Sequence, residues 1–443
     1  MVNLHIGFDD TDSPRGGCTT YVAALLVEKL ERSGVVFIDY PNLIRLNPNV
    51  PWKTRGNAAL CLRITCSEDV VDAVFEIVAE SVERNSDLGF EGTDPGIVFF
   101  QGNRIPSEIQ AFAKKTIQDV VRMEDALKLI RKFKAEALGF ETGYGIIGGL
   151  AAIGESLEDD HTYEVIAYRN PENRGTPRQV NYESIKRMDQ ETKPKTFNNI
   201  DSETGRILIT PRGPDPILYG IRGETADAVI EAHKMVQVLE PVERWVVFRT
   251  NQGTDAHLKK INTINDIRPY HPIIATGIVA SKPKLVPRRH RIFAIRDETS
   301  TVDCAAYEPT GTLRKVARQL IPGDSVEVAG GVKASSSKRP TTINLEKLRV
   351  VKLAPKLELR NPKCSRCGKR MDSMGKGKGF RCGKCGLRNS NLQKIFVEEK
   401  RRICEGLFVT SPRSQRHLTK PLSRYGKEKS GIPENMVSCW HQP

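Results

Sequence analysis

The chain has 443 residues, 39% of them hydrophobic, so it can bury several cores and we do not expect disorder to dominate. Its net charge of +14 comes from one segment, because residues 356–430 hold 21 lysines and arginines against 6 acids, whereas the rest holds 47 against 48. This local charge favours nucleic acid as a partner, with a solubilising basic tail as the alternative. The sequence shows no apolar run of about 18 residues and no secretory leader, so we expect a cytoplasmic protein without a membrane partner.

An acidic turn follows the first predicted strand, residues 2–8, and precedes a predicted helix that begins near residue 20. The notable residues of this turn are Asp9, Asp10, Asp12, Gly16, Gly17 and Thr19. Carboxylates are hard oxygen ligands for Mg²⁺, and a helix start with unpaired N–H groups attracts phosphate. The turn therefore predicts a metal–nucleotide site, with a solvated helix cap as the alternative.

A basic stretch in the same region offers cations that could neutralise nucleotide phosphates opposite the acids. It comprises Arg45, Lys53, Arg55 and Asn57, which together with Gly16 and Gly17 are our candidate ATP-binding residues. A surface loop is the alternative. No G-x-x-x-x-G-K-[ST] sequence is present, so any use of ATP must be of a non-Walker kind.

Strand and helix patterns divide the first part of the chain into two α/β domains, expected over residues 1–140 and 141–268. The second pattern suits an antiparallel sheet covered by helices on one side. Residues 143–148 match G-x-G-x-x-G, but a charged helix rather than a buried strand precedes them. We therefore reject a dinucleotide-binding site there.

Residues 269–355 change character and predict three strands, a helix and two strands. This is the element order of an OB-fold β-barrel, although other small barrels share it. Such barrels bind single-stranded nucleic acid on one face.

Four cysteines predict a zinc ribbon over residues 356–392. Cys364, Cys367, Cys382 and Cys385 form two C-x2-C knuckles separated by fourteen residues, a spacing typical of a closed structural Zn²⁺ site. Basic residues and one aromatic surround the knuckles and suit phosphate contact and base stacking. These candidate RNA contacts are Lys363, Arg366, Lys369, Arg370, Lys376, Lys378, Phe380, Arg381 and Lys384.

Several motifs resemble the archaeal tRNA(Ile) 2-agmatinylcytidine synthetase family, which attaches agmatine to the wobble cytidine of the minor isoleucine tRNA. The resemblance reaches to about residue 424, and residues 427–443 depart from it. It is carried by residues 7–13 with 18–21, 43–48 with 53–57, 218–224, 304–310, 342–347, the four-cysteine ribbon and 416–422.

The resemblance implies a multidomain α/β protein with a kinase-like domain, a ferredoxin-like α+β domain, an OB-fold barrel and a zinc ribbon, followed by a basic segment over residues 393–443. It implies that ATP is cleaved to AMP, that Thr19 is phosphorylated, and that the cytosine 2-oxo group is activated as a phosphorylated intermediate. Asp9, Asp10 and Asp12 are then expected to hold Mg²⁺ and, with Thr19, to be catalytic.

The resemblance also implies two partners, agmatine and isoleucine tRNA with a CAU anticodon, and no DNA. Agmatine's guanidinium calls for a carboxylate, for which Glu224, Asp201 and Asp189 are candidates. The barrel, the ribbon and the basic segment, with Arg416 and Lys420, are expected to clamp the tRNA while the wobble cytidine flips into the first domain. The alternatives are a non-catalytic RNA-binding protein and an ATP-dependent kinase of a small substrate.

Overall fold

The computed structural model describes residues 1–54, 56–337, 339–431 and 434–443. The first two α/β units contain β1 (Val2–Asp9), α1 (Thr19–Arg32), β2 (Val36–Phe37), β3 (Asn42–Arg45), β4 (Ala58–Cys66), α2 (Val71–Asn85), β5 (Gly96–Gln101), α3 (Ser107–Gln118), α4 (Met123–Lys132), β6 (Glu136–Gly139), α5 (Gly145–Gly154), β7 (Thr162–Arg169), α6 (Tyr182–Thr192), β8 (Thr196–Phe197), β9 (Ile217–Gly223), α7 (Ala226–Met235) and β10 (Val242–Thr250).

The strands of these two units form one continuous sheet in the order β6-β5-β1-β4-β3-β10-β7-β9-β8. Adjacent strands along it are antiparallel except where the units meet, at the parallel pair of β10 and β3. The junction is short, with Arg249 opposite Asn42 and Thr250 opposite Leu43. The two units predicted from sequence therefore share a sheet and present their side chains to a common space.

Helix α5 packs directly on β1, although it lies beyond residue 140 in the sequence. A Cβ built on Gly149 would lie 2.8 Å from the carbonyl oxygen of Gly7, and one on Gly148 would lie 2.0 Å from Oδ2 of Asp9. Close approach of helix and strand thus requires glycine at these positions. Glycines of the G-x-G-x-x-G sequence here serve helix–sheet packing beside the acidic turn.

The third unit is a closed five-stranded barrel, as predicted. Its strands close in the order β12-β16-β17-β15-β14-β12, with β15 and β17 parallel, around a core of its own that includes Phe293 and Leu348. The elements are β11 (Lys259–Lys260), β12 (Pro272–Val279), β13 (Lys284–Val286), β14 (His290–Arg296), β15 (Thr301–Ala306), α8 (Thr312–Ala317), β16 (Ser325–Lys333) and β17 (Thr342–Lys352).

Beyond the barrel, a two-stranded stalk carries the small cysteine-bearing sheet, and the chain then returns to the body. The elements are β18 (Lys356–Arg360), β19 (Asp372–Ser373), β20 (Phe380–Arg381), β21 (Arg388–Asn389), β22 (Ile395–Glu399), β23 (Gly406–Val409) and β24 (His441–Gln442). Strand β23 pairs with β17 of the barrel, and β24 pairs with β10 of the large sheet. The described helices include none whose length and apolar character would let it cross a membrane.

Candidate functional site

A cavity of about 610 Å³ opens between the first two units and the returning C-terminal segment. It brings together seven residues singled out in the sequence: Asp9, Asp10, Asp12, Thr19, Arg45, Lys53 and Asn57. Gly16 and Gly17, both within the described part of the chain, do not belong to its lining. Arg55 lies outside the described residues.

The acidic turn is held in a constrained conformation at the end of β1. Asp10 has φ 63°, in the left-handed region, and its backbone N–H donates to Oδ1 of Asp9 at 2.7 Å. The backbone N–H of Asp94 and the hydroxyl of Thr54 donate to the two carboxylate oxygens of Asp10, at 3.0 and 3.3 Å. Strain at a non-glycine residue persists only where the surroundings impose it, and it is typical of functional sites.

Burial and mutual repulsion disfavour the charged forms of these acids. Burial and the neighbouring charge of Asp10 raise the pKa of Asp9 well above its usual range. Burial also raises the pKa of Asp10, to about 6, with the charge of Asp12 adding to the effect. A bound divalent cation would relieve this repulsion, so the donor set fits Mg²⁺, a hard ion that prefers carboxylate oxygens.

Thr19 is the first residue of α1 and is 8% exposed at the cavity wall. Cys18 precedes it in an extended conformation, without a side-chain hydrogen bond that caps the helix. The hydroxyl of Thr11 donates to Oγ1 of Thr19 at 3.1 Å. The proton of the Thr19 hydroxyl is therefore not used in that bond, and its oxygen sits at the positive end of a helix.

A cluster of basic side chains shares the cavity lining with the acids: Arg45, Lys53, Arg222 and His417. Nη2 of Arg222 donates to Nδ1 of His417 at 2.8 Å, so that nitrogen carries no proton. Burial and the charges of Arg45, Arg222 and Lys53 lower the pKa of His417 well below its usual range, while burial lowers the pKa of Arg45 to about 10. Nε of Arg45 has no hydrogen-bond partner among the described residues.

Unspent positive charge of this kind favours an anion. Glu164 is the acid that faces the cluster in the lining, and it already pairs with Nε of Arg222 at 3.2 Å and accepts from the amide of Gln252. Three cations against one engaged carboxylate suit a polyphosphate.

The three carboxylates considered for agmatine do not line this cavity, as far as the described residues define it. Asp189 pairs with Lys193 at 2.5 Å, and Asp201 pairs with Nη1 of Arg413 at 2.8 Å. Glu224 pairs with Nε of Arg424 at 2.9 Å. Their environment is that of structural ion pairs, because each already meets a basic side chain.

Sequence reasoning missed four residues of the lining: Glu164, Asp215, Arg222 and His417. Arg222 and His417 lie inside motifs that were noted without a role. Nothing in the local sequence shows that residues almost two hundred positions apart meet across one cavity.

The ribbon cysteines form a site with the dimensions of a zinc centre. All four Sγ atoms lie within 4.8 Å of one another, with Cys364–Cys385 at 3.5 Å and Cys367–Cys382 at 3.4 Å. Backbone N–H groups of the second knuckle lower the pKa of Cys382 to about 6. These distances suit four thiolates around a tetrahedral Zn²⁺ at about 2.3 Å each, which leaves no open coordination position.

The predicted RNA contacts have different environments. The eight basic residues of the ribbon are exposed, namely Lys363, Arg366, Lys369, Arg370, Lys376, Lys378, Arg381 and Lys384. Phe380, in contrast, is 5% exposed in the ribbon core, so it is not placed to stack on a base. Lys420 is buried and pairs with Asp160 and Glu428, and Arg416 is bonded to the carbonyl of Pro48 at 2.9 Å.

Three family models match successive parts of the chain. They are described as the TiaS TCKD domain over residues 5–142, the TiaS FLD domain over residues 143–257 and the TiaS C-terminal zinc ribbon domain over residues 361–403. The tRNA(Ile) 2-agmatinylcytidine synthetase TiaS of Staphylothermus marinus is 44% identical over 441 residues, which cover 98% of this chain and 96% of that protein. The synthetase of Pyrococcus horikoshii is 44% identical over 95% of this chain and 96% of its own length.

The chain belongs to the TiaS family.

Solved TiaS structures share the fold over nearly the whole length. A complex of TiaS with isoleucine tRNA and ATP superposes with a TM-score of 0.85 at 39% identity, covering 96% of this chain and 98% of that one. A complex of TiaS with isoleucine tRNA, AMPCPP and agmatine gives 0.83 at 37% identity, with the same coverage. Within this TiaS chain, the cavity draws residues from the TCKD and FLD matches and from the segment after the ribbon.

Proposed function

We infer that the protein is an ATP-dependent ligase that joins agmatine to carbon 2 of the wobble cytidine in isoleucine tRNA with a CAU anticodon. The product, 2-agmatinylcytidine, lets this tRNA read AUA. The observation that carries the inference is the full-length similarity to TiaS enzymes, which were solved with isoleucine tRNA and either ATP or AMPCPP and agmatine. One cavity that presents acids and cations together is consistent with this chemistry.

ATP is required because the 2-oxo group of cytosine is a poor leaving group. In the proposed route, cytosine O2 accepts a phosphoryl group, and the primary amine of agmatine then attacks carbon 2. The C–O bond breaks, O2 departs with inorganic phosphate, and the amine loses a proton. With Thr19 taking up the second phosphoryl group, ATP ends as AMP and two phosphates.

The acidic turn and the basic cluster divide the work on the nucleotide. Asp9, Asp10 and Asp12 would hold Mg²⁺, which would supply charge neutralisation to the phosphates when bound. Arg45 and Lys53 face the same cavity and are proposed to hold ATP phosphates, together with Asn57 at the wall. Arg55, Gly16 and Gly17 remain candidates from the sequence motif.

Thr19 is proposed as the phosphate acceptor within the protein. Its oxygen lies at the start of α1 on the cavity wall and is oriented by the hydroxyl of Thr11. A phosphate on this oxygen would face the N–H groups of the first helical turn, which stabilise anions.

We propose that agmatine lies against Asp215 and Glu164, the carboxylates that the second unit contributes to the lining. Both already contact arginine, Asp215 at 3.1 Å from Arg178 and Glu164 at 3.2 Å from Arg222. An arginine guanidinium beside each carboxylate shows that the geometry accepts the group that agmatine carries.

The remaining units are proposed to bind the body of the tRNA. We keep the kinase-like, ferredoxin-like, OB-fold, zinc-ribbon and C-terminal divisions as proposals, with structural Zn²⁺ in the ribbon. The exposed cations of the ribbon suit phosphate contacts over a long ligand. Arg416 and Lys420 act through packing in this proposal, because both are engaged within the protein.

Radiolabelled agmatine, incubated with the protein, ATP, Mg²⁺ and CAU isoleucine tRNA, tests the function. We expect label in that tRNA and none in the same tRNA with uridine at the wobble position. Label-free tRNA together with intact RNA binding would support the non-catalytic alternative. Transfer of phosphate to a small molecule without tRNA would support the kinase alternative.

A further inference from the structure

We propose that Trp52 is a stacking platform for the anticodon base that neighbours the substrate cytidine, a role that rests on the proposed function. Trp52 lies in the loop between β3 and β4, on the rim of the cavity. It is 63% exposed, an unusual state for a large aromatic side chain in a protein that buries its other two tryptophans.

The loop that carries Trp52 is fixed at the point where the large sheet meets the barrel. The side chain of Asn47 donates to the carbonyl of Tyr270 at 3.1 Å, and Arg416 donates to that of Pro48 at 2.9 Å. The ring of Trp52 meets that of Tyr270 at 6.4 Å between centroids and 64° between planes. One neighbour in such an edge contact covers at most one indole face, so the platform is supported and a face stays open.

Its position relative to the acids sets which base it can reach. Thr54, two residues along the chain, bonds to Asp10 at 3.3 Å, and two Cα steps span at most about 7 Å. A cytosine whose O2 is presented to the acidic turn therefore has its chain neighbours at the rim, beside Trp52. The ring's exposure places it outside the phosphate-binding interior.

The chemistry of base flipping supplies the reason for a platform there. A nucleotide that leaves its stack exposes the face of its neighbour, which weakens binding unless another ring replaces the lost partner. Aromatic side chains accept any base, because every base has a π-face. Trp52 thus compensates for the cytidine that has entered the cavity.

Tryptophan emission tests the contact directly, since Trp245 and Trp440 are 7% and 5% exposed. CAU isoleucine tRNA, added to the full-length protein without ATP, is expected to protect Trp52 from acrylamide quenching. ATP with Mg²⁺ alone is expected to leave quenching unchanged. Protection by ATP alone would overturn the proposal and assign the ring to adenine.

Substitution separates stacking from a structural role. Trp52→Ala is expected to raise KM for tRNA about tenfold at unchanged KM for ATP, whereas Trp52→Phe stays within about twofold of the parent. Leu239→Ala, which removes a 71% exposed apolar side chain of the second unit, serves as the control. Equal tRNA KM for Trp52→Ala and the parent would refute the platform, and matching melting temperatures exclude misfolding.

A tRNA that lacks the base on one side of the wobble cytidine completes the cycle. With the correct neighbour removed, the parent and Trp52→Ala should bind it equally, and a tenfold difference that persists with both abasic tRNAs would contradict the proposal. These are binding measurements. Absence of agmatine transfer with protection intact would refute the proposed function and leave the platform standing.

Discussion

At the scale of single residues, the site depends on groups placed where their charged forms are unfavourable. Asp9 and Asp10 both have raised pKa values, and a left-handed backbone at Asp10 holds them together. Two strand-end acids followed by a helix start are visible in sequence, so this half of the site is predictable. The basic half is not, since His417 and Arg222 meet only after the chain has formed the barrel and ribbon and returned.

Thr19 offers a direct test at this scale. Thr19→Val removes the hydroxyl with little change in volume, so we expect loss of protein phosphorylation and at least a hundredfold loss of agmatine transfer. Mass spectrometry of the peptide after incubation with ATP measures the first, and Thr19→Ser should retain part of both. Thr20→Val is the matched control and should keep Thr19 phosphorylated. A fully active Thr19→Val would remove Thr19 from the mechanism.

Gly148 tests the contact between α5 and the acidic turn. A Cβ there would lie 2.0 Å from Oδ2 of Asp9, so Gly148→Ala must displace that carboxylate, and we expect at least a tenfold loss of activity. Gly154→Ala in the same helix would meet the carbonyl of Ile109 at 2.4 Å, far from the acids in the chain. It should cost about 1 to 3 kcal/mol of stability while activity below its melting temperature is kept. Equal activity losses would contradict the role of Gly148.

At the scale of elements, periodicity predicted α3 and α4 within a few residues, because each helix buries one face. The shared sheet was not predictable. Its junction is a two-residue parallel contact of β3 and β10, set by packing between segments about two hundred residues apart. Local sequence carries no record of such a pairing.

A buried network around Glu346 of β17 joins the barrel to the rest of the molecule. Its carboxylate contacts Nε2 of His257 at 3.1 Å, accepts from the hydroxyl of Thr419 at 2.7 Å and meets Nε of Arg416 at 3.4 Å. Burial alone would raise its pKa, but His257, Arg416 and Thr419 together lower it from 4.5 to about 2. A carboxylate whose pKa is lowered on folding stabilises the fold above its unfolded pKa.

Glu346→Gln should therefore destabilise the protein by roughly 3 kcal/mol at neutral pH. The difference from the parent should shrink as the pH falls from about 4.5 through about 2, where the parent's carboxylate becomes protonated. Denaturant unfolding at several pH values measures it. Glu327→Gln breaks a partly exposed pair with Arg349 in the same barrel and should change stability by less than 1 kcal/mol. Equal effects of the two substitutions would contradict the stabilising role of the Glu346 network.

At the scale of the whole molecule, the charge asymmetry of the sequence is resolved into two populations. Cations of the ribbon face solvent, whereas Lys420 and Arg424 of the returning segment are buried in ion pairs. Composition predicted the nucleic-acid partner but could not separate these populations, since burial depends on where the segment packs. Trp440, in a stretch with no family motif, packs against Phe37 and Tyr40 and secures the chain end.

Loss of zinc should separate RNA binding from nucleotide chemistry. Cys382→Ser removes one of four ligands, so we expect release of about one zinc and a KM for tRNA at least tenfold higher, with ATP binding little changed. Metal analysis and steady-state kinetics measure the two effects. Cys439→Ser, an exposed cysteine outside the ribbon, is the control. Unaltered tRNA KM after zinc loss would refute the ribbon's assigned role.

The central claim is that agmatine is joined to carbon 2 of the wobble cytidine at the expense of ATP. Its most direct test is mass spectrometry of the nucleosides from CAU isoleucine tRNA after incubation with the protein, ATP, Mg²⁺ and agmatine. We predict one cytidine whose mass has increased by agmatine minus one water, accompanied by one AMP for each tRNA modified. An unmodified wobble cytidine, with or without AMP formation, would contradict the account.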